Sequence, residues 1–194
     1  MCVFGTRPEA IKMAPVVKLL RQTVGIDLVV CVTAQHREML DQVLDLFEIR
    51  PDHDLNVMKP GQDLAGLTSE VLTRMGAVLA HERPDWVLVH GDTTTTLAVS
   101  LAAYYQKISV AHVEAGLRTR NIYSPWPEEV NRRVAGVVAS LHFAPTAGAR
   151  VNLLEEAVPA SRIVVTGNTV VDAVLQARRI IAESPKIRTE LDKT

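Results

Sequence analysis

Short apolar runs alternate along the chain with longer segments in which apolar residues recur at helical spacing. The runs lack polar alternation, as expected of strands that are covered on both faces. Strands that alternate with helices predict a Rossmann-like α/β fold, a three-layer, doubly wound parallel sheet. The predicted strands are Cys2 to Phe4, Leu28 to Thr33, Trp86 to Val89, Ser109 to Val113, Leu141 to Ala144 and Arg162 to Val165, with a short extended piece at Leu55 to Val57.

Capping signals mark the starts of several helices. Thr6-Arg7-Pro8-Glu9 has the spacing of a capping box, with Thr6 as N-cap and Glu9 at the third helical position. Thr169 and Asp172 repeat that spacing ahead of a helix that ends near Glu183. Pro15 lies inside the first helical pattern and is predicted to kink or split it. Further helices are predicted to open at Ala34 to Glu38, to span Leu64 to Leu79 and to run from Pro145 to Glu156.

Composition limits the classes of protein to which the chain can belong. Its 194 residues suit one domain, or one domain with part of another, and 47% are hydrophobic, which is enough for a large core. The formal net charge of -1 gives no general attraction to nucleic acid or to an anionic membrane. No signal peptide is visible, and no apolar run approaches the roughly 20 residues of a membrane helix. We expect a soluble, cytoplasmic protein with neither partner.

Acidic residues follow two of the predicted strands. Asp92 comes just after Trp86 to Val89, Glu114 directly follows Ser109 to Val113, and Glu128 opens the next helical pattern. Because ligands of an open parallel sheet bind beyond the carboxyl ends of its strands, the three carboxylates are expected to converge there. Simple structural explanations stay open for two of them, since Asp92 could cap a helix and Glu128 could complement a helix dipole. Glu114 has the least structural reason to be charged.

A second group of polar residues follows the first two strands. Gly5 could let a ligand approach the backbone, and Arg7 and Lys12 could place cations beside a helix N-terminus, as an anion site requires. The alternative is a well-capped helix without a ligand. Gln35 and His36 follow the strand Leu28 to Thr33, and either a packing role or a ligand contact would explain them.

Several common site motifs do not occur in the sequence. No G-x-G-x-x-G follows the first strand, and no P-loop, G-x-S-x-G elbow or Cys/His cluster with zinc spacing is present. Cys2 and Cys31 lie in apolar runs, which predicts buried thiols without a disulfide. The remaining enzymatic interpretation is acid–base chemistry by carboxylates on a ligand with an anionic group, without a metal or a cofactor.

Six strings, spread over nearly the whole chain, closely resemble the non-hydrolysing UDP-N-acetylglucosamine 2-epimerases of bacteria. They are FGTRPEAIKMAP, TAQHREMLDQVL, VLVHGDTTTT, HVEAGLRT, YSPWPEE and VTGNTVVDA. The family has two Rossmann-like domains, as in GT-B glycosyltransferases, with the active site in the cleft between them. The resemblance implies that residues 1–168 are the N-terminal domain and that residues 169–194 are a linker helix and tail towards a missing C-terminal domain. Separately, because the chain begins so close to its first strand, we expect that a few strand residues are missing before Cys2.

The resemblance further implies interconversion of UDP-GlcNAc and UDP-ManNAc, by elimination of UDP and its re-addition. Motif matching makes Asp92, Glu114 and Glu128 the catalytic acids, with the base on each face unassigned. Arg7 and Lys12 become contacts to the substrate or its diphosphate. Gln35 and His36 would contribute to a site where a second UDP-GlcNAc acts as activator, and a homodimer is expected.

Three other functions stay open at this point. A hydrolysing relative would release ManNAc and UDP from a similar site. Half of a GT-B glycosyltransferase would share the fold but would not need three acids. A non-catalytic fragment that binds a nucleotide sugar would follow from the absence of the second half of the cleft.

Overall fold

The computed structural model describes residues 1–34, 37–59 and 61–184. These residues form a seven-stranded parallel sheet in the order β3-β2-β1-β4-β5-β6-β7. The strands are β1 (Cys2–Phe4), β2 (Val30–Val32), β3 (His53–Asp54), β4 (Trp86–His90), β5 (Ser109–Val113), β6 (Leu141–Ala144) and β7 (Ile163–Val165). The helices are α1 (Arg7–Gln22), α2 (Arg37–Leu46), α3 (Leu64–Glu82), α4 (Thr94–Tyr105), α5 (Glu128–Val138), α6 (Ala147–Glu155) and α7 (Val170–Glu183), with a 3-10 turn at Ala160–Arg162.

Helices cover both faces of the sheet, so the predicted Rossmann-like α/β fold is confirmed. Strand side chains alternate between two cores, as the period of a β-strand requires. The helices α3 and α4 close one core and α1, α2 and α7 close the other. The first core receives Val3, Cys31, Val87, Val89 and Val110, and the second receives Cys2, Phe4, Val30, Val32 and Val113.

The strand order reverses beside β1, which pairs with both β2 and β4. The chain leaves β1 towards β3 on one side and then returns to the other side through α3. In open α/β sheets the loops that diverge at such a reversal leave a crevice at the carboxyl ends of the strands. The loops after β1 and β4 therefore border the position where a ligand of this fold is expected.

Of three predicted local features, the capping box is confirmed, the cap at Thr169 is wrong, and Pro15 does not split its helix. The capping box of Thr6 and Glu9 is present. Helix α1 runs through Pro15 as one element, so the predicted split does not occur; the ring is buried in the core, which offsets one lost backbone hydrogen bond. Thr169 has helical backbone angles and makes no side-chain cap. Instead, the side-chain oxygen of Asn168 accepts the amide of Val170 at 3.0 Å.

Several element boundaries also differ from the predicted ones. Helix α3 extends to Glu82 and ends where Arg83 adopts a left-handed conformation, with φ 46°. Ala34 is also left-handed, with φ 55°, and so does not open a helix; the described part of α2 is Arg37–Leu46. The third strand is His53–Asp54, ahead of the predicted Leu55 to Val57.

The two cysteines are buried free thiols, as predicted. Burial raises the pKa of both thiols to about 12, so neither is a reactive thiolate. In the described ranges, no helix has the length and apolar character needed to cross a membrane.

Gly116 and Gly167 offer a matched pair for testing how closely α6 packs against the turn after β5. Both have positive φ, 89° and 78°, but a Cβ at Gly116 would collide with the carbonyl oxygen of Ala149 in α6, whereas one at Gly167 would meet open space. We expect Gly167→Ala to cost about 1–2 kcal/mol through backbone strain, and Gly116→Ala to cost about 1–3 kcal/mol more through the collision. Urea unfolding of each variant measures both losses, and equal losses would contradict the packing described here.

Candidate active site

The three predicted acids lie at the carboxyl edge of the sheet, in the neighbourhood of the strand-order reversal. Asp92 is in the turn between β4 and α4, Glu114 follows β5 directly, and Glu128 is the first residue of α5. The charges of Glu114 and Glu128 both act on the pKa of Asp92, so the three carboxylates lie near one another at this edge, and we call them the acid cluster. The structure therefore brings together acids that the sequence placed at two strand ends and at the start of a helix.

Asp92 does not cap a helix. The N-cap of α4 is Thr93, whose hydroxyl oxygen accepts the amide of Thr96 at 3.2 Å. The carboxylate of Asp92 instead lies 2.6 Å from the Nη2 atom of Arg132, on α5. The amide side chain of Asn131 donates to the backbone carbonyl of Asp92 at 2.9 Å. The capping explanation for Asp92 is thus excluded.

The pKa of Asp92 reflects a crowded, partly buried position. Burial raises this pKa above its ordinary value, and the negative charges of Glu128 and Glu114 add to the increase. The positive charge of Arg132 opposes it, and His90 does so to a smaller extent. Asp92 therefore holds a proton more readily than an exposed aspartate does.

Glu114 is held by cationic and polar side chains from distant parts of the chain. The ammonium group of Lys12, on α1, lies 2.7 Å from both carboxylate oxygens. The side-chain amide of Asn168 donates to Oε2 at 2.8 Å. The Nε2 atom of the buried His90 lies 3.7 Å from the same oxygen. Burial alone would raise the pKa of Glu114, but His90 and Lys12 outweigh that effect and lower it to about 2.

The backbone at Glu114 is also unusual. Its φ of 61° lies in the left-handed region, which non-glycine residues adopt at a cost of roughly 1–3 kcal/mol. Such strain persists only where the surrounding contacts fix the residue, and Lys12 and Asn168 supply those contacts. The turn thereby directs the carboxylate along the edge of the sheet, towards α1.

Glu128 carries an unsatisfied oxygen. Its Oε2 atom is buried and has no hydrogen-bond partner within the described part of the chain. A buried carboxylate oxygen without a partner is costly and uncommon in native proteins. The helix-dipole explanation accounts for an acid at this position but does not explain why one oxygen is buried and unpaired.

Glu9 joins the two loops that border the crevice. Its Oε2 atom accepts the amides of Gly5 and Thr6 at 3.0 and 2.8 Å and the hydroxyl of Thr6 at 2.9 Å. Its Oε1 atom accepts the hydroxyls of Thr93 at 2.7 Å and Thr96 at 3.4 Å. The side chain is 2% exposed, so these bonds replace its hydration. Glu9 is therefore more than the capping residue that the sequence predicts.

Gly5 has a packing role that the sequence did not indicate. The hydroxyls of Thr33 and Thr95 hydrogen-bond to each other at 2.8 Å, directly against Gly5. A Cβ at Gly5 would collide with the Thr33 hydroxyl and would lie 2.6 Å from that of Thr95. Close contact between β1, β2 and α4 thus requires glycine here, whether or not a ligand approaches.

His112 fixes the peptide that precedes Asp92. Its Nε2 atom lies 2.6 Å from the carbonyl oxygen of Gly91, and because a carbonyl only accepts, Nε2 carries the proton. Burial lowers the pKa of His112 to about 3, so the ring is neutral in ordinary buffers. The turn that carries Asp92 is thereby anchored from β5.

Two of the four predicted substrate-binding residues lie in the described part of the chain, and two do not. Arg7 is exposed in the first turn of α1, with no hydrogen bond or ion pair to any other described residue, so its guanidinium faces solvent. Lys12 is engaged by Glu114 rather than free. Gln35 and His36 lie outside the described residues, so their predicted ligand contacts stay predictions.

Sequence reasoning missed the partners of the acids: His90, Asn131, Arg132 and Asn168. One signal was available, because Glu128, Asn131 and Arg132 are spaced to lie on one face of a helix. The contacts of Asn168 and Lys12 to Glu114 span 54 and 102 residues, and no local pattern reports such pairs. Within residues 1–34, 37–59 and 61–184, no group of three or more His, Cys, Asp or Glu side chains could hold a metal ion.

Comparison with known proteins identifies clear relatives of this chain. A family model described as UDP-N-acetylglucosamine 2-epimerase matches residues 18–194. The UDP-N-acetylglucosamine 2-epimerase of Escherichia coli (strain K12) is 60% identical over 191 residues, which are 98% of this chain and 51% of the relative. The chain thus spans about half the length of the curated relatives that it matches.

Solved structures of similar proteins have the same architecture. The crystal structure of UDP-GlcNAc 2-epimerase from Neisseria meningitidis, bound to UDP-GlcNAc, matches with a TM-score of 0.93 and 55% identity, over 98% of this chain and 51% of that one. The Methanocaldococcus jannaschii UDP-GlcNAc 2-epimerase in complex with UDP-GlcNAc and UDP matches with a TM-score of 0.91 and 37% identity, over 99% of this chain and 52% of that one.

The low pKa of Glu114 predicts how its ion pair contributes to stability. A carboxylate whose pKa falls from 4.5 to about 2 on folding stabilises the fold above the higher value, and this contribution is lost as the pH falls towards the lower one. We expect Glu114→Gln to lower the free energy of unfolding at about pH 7, and the difference from wild type to shrink at about pH 3. Lys12→Met should behave in the same way. Urea unfolding at both pH values measures this, and a difference that does not change with pH would contradict it.

Proposed function

This chain belongs to the UDP-N-acetylglucosamine 2-epimerase family, and we propose on that premise that it forms one wall of an active site that interconverts UDP-GlcNAc and UDP-ManNAc. The observation that carries the proposal is the cluster of Asp92, Glu114 and Glu128 beside the strand-order reversal. An acid cluster of this kind suits a reaction that develops positive charge on a sugar and moves a proton.

The proposed chemistry is an elimination followed by an addition. The bond between C1 and the UDP oxygen breaks, and its electron pair leaves with UDP. A carboxylate takes the proton from C2, and a C1–C2 double bond forms in the resulting 2-acetamidoglucal. UDP then adds back to C1 while a proton returns to the opposite face of C2, so the atoms balance without a redox partner.

The surroundings of the acids favour different roles for two of them. Glu114 stays ionised through its pairing with Lys12, so it suits the stabilisation of positive charge near C1 as UDP departs. Asp92 has a raised pKa, which suits a group that accepts and returns a proton. The unpaired oxygen of Glu128 would gain a hydrogen-bond partner from a sugar hydroxyl or amide.

Cations near the N-terminus of α1 suit the diphosphate. Arg7 is solvent-exposed at the start of this helix, where backbone dipoles favour an anion. Lys12 lies between that helix and Glu114, so an incoming phosphate oxygen would compete with Glu114 for its ammonium group. Both residues therefore support the proposed contacts to UDP.

We further propose that residues 1–168 are one domain and that residues 169–194 connect it to a second domain that closes the cleft. The chain matches about half of the relatives' length, which supports a second domain, and within the connecting residues α7 packs on the core of the first. We use the term parent protein for this longer polypeptide. An activating second UDP-GlcNAc at Gln35 and His36, and a homodimer, stay predictions from the family resemblance.

Product analysis in D2O tests the function and separates it from the hydrolysing alternative. We expect the parent protein to convert UDP-GlcNAc into UDP-ManNAc that carries deuterium at C2, because the proton removed from C2 exchanges with solvent. Residues 1–194 alone should give no product, since one wall neither holds the substrate nor excludes water. Proton NMR follows both reactions. Accumulation of free ManNAc with UDP would instead establish the hydrolysing reaction, and turnover by residues 1–194 alone would overturn the two-wall proposal.

Substitution of the acids tests their assignment. In the parent protein, Glu114→Gln and Asp92→Asn are expected to lower kcat by roughly a hundredfold or more, because each removes a charge or a proton acceptor at the reacting carbons. Arg133→Met serves as the control, because Arg133 is a half-exposed residue that lies 3.8 Å from Glu156, outside the acid cluster. Near-normal turnover of both acid variants would remove them from the site.

A further inference from the structure

Glu129, in the first turn of α5, is fully buried and binds the loop that precedes this helix. Its carboxylate oxygens accept the backbone amides of Thr119 and Arg120, at 3.1 Å each. This loop belongs to the segment that starts at Glu114 and ends at Glu128. Glu129 therefore fixes the chain between two of the proposed catalytic acids.

Arg132 lies between Glu129 and Asp92. Its Nη1 atom is 3.7 Å from Glu129, and its Nη2 atom is 2.6 Å from Asp92. Its Nε atom is buried and has no hydrogen-bond partner among the residues that the structure describes. The side chain is 10% exposed, so solvent screens these interactions only weakly. Asn131, the preceding residue, holds the backbone of Asp92.

From this arrangement we propose that Arg132 is a positioning residue for Asp92 and that Glu129 anchors Arg132 and the loop before α5. The inference rests on the proposed epimerase function, and it deepens that function by adding two residues to the site. Arg132 acts through Asp92 in this proposal, so it is not itself a catalytic residue.

Stability alone is a poor explanation for this arrangement. Buried ion pairs often contribute little to the stability of a fold, because desolvation of the charges offsets their attraction. Here a buried guanidinium is shared by two carboxylates and one of its nitrogens is left unpaired. What the arrangement does supply is a fixed position and charge state for Asp92.

The charges that face Asp92 make its charge state depend on Arg132. Glu128 and Glu114 both favour protonation of Asp92, whereas Arg132 and, more weakly, His90 oppose it. Lys12, from α1, partly compensates Glu114. Without Arg132, Asp92 would face two carboxylates with little compensation, so the pKa of Asp92 would rise further.

The central experiment compares Arg132→Met and Arg132→Lys in the parent protein, with Arg133→Met as the neighbouring control. We expect Arg132→Met to lower kcat by about tenfold or more with little change in KM, because Asp92 is misplaced while substrate contacts remain. The pH–rate limb that reports Asp92 should move to higher pH. Arg132→Lys should recover part of kcat and of the pH limb, because it keeps the charge but loses the planar geometry. An unchanged kcat for Arg132→Met would overturn the proposal.

A double-mutant cycle with Asp92→Asn tests whether the effect of Arg132 on kcat passes through Asp92. If Arg132 acts through that carboxylate, Arg132→Met should cost less than about a further twofold in the Asp92→Asn background. The same fold-loss in both backgrounds would overturn the proposal and leave the proposed function intact. Failure of the wild-type parent to form UDP-ManNAc would instead overturn the proposed function.

A titration that needs no turnover completes the test. Carbon-13 NMR of the Asp92 carboxyl, in residues 1–194, should show a higher pKa in Arg132→Met than in wild type and an intermediate value in Arg132→Lys. Circular dichroism checks that each variant is folded. An identical Asp92 titration in folded wild type and Arg132→Met would contradict the proposal, whatever the catalytic result.

Discussion

The hydrogen bonds of the buried Glu9 carboxylate hold together the edge of the sheet at which the acids lie. The carboxylate accepts two backbone amides from the loop after β1 and hydroxyls from the loop after β4, so one side chain joins the two loops that diverge at the strand-order reversal. Burying a carboxylate is costly unless its oxygens have partners, and here five hydrogen bonds satisfy them. This group therefore ties the start of α1, which carries Arg7 and Lys12, to the start of α4, next to Asp92.

The side chains around the three acids place each of them in a different electrostatic environment. Glu114 is neutralised from α1 by Lys12, whereas Asp92 is balanced from α5 by Arg132. Glu128 has one buried oxygen without a partner in the described residues. Three carboxylates at one edge of a sheet thus occupy three electrostatic environments, as catalysis with distinct acid and base roles requires.

Much of the fold could be predicted from the sequence because its signals are local. The apolar runs Ser109–Val113 and Leu141–Ala144 match β5 and β6 residue for residue, and the capping box at Thr6 is present. The failures occurred where tertiary packing or a neighbouring residue decided the outcome. Pro15 is tolerated because the core covers it, and Thr169 does not cap α7 because Asn168 does so. The positions of the acids were evident from strand ends, but their partners were not, because Lys12 and Asn168 reach Glu114 only in the folded chain.

The strand order affects how the site assembles during folding. Because β1 pairs with β4, the long connection through β2, β3 and α3 must close on itself before the loop after β4 reaches Glu9. Glu114 also bonds to Asn168, which follows β7 at the edge of the sheet. Long-range pairings of this kind form slowly, because loop closure precedes the contacts that reward it. A partly folded chain can therefore possess helices and local strand pairs before the contacts of Glu9 to Thr93 and of Lys12 and Asn168 to Glu114 have formed.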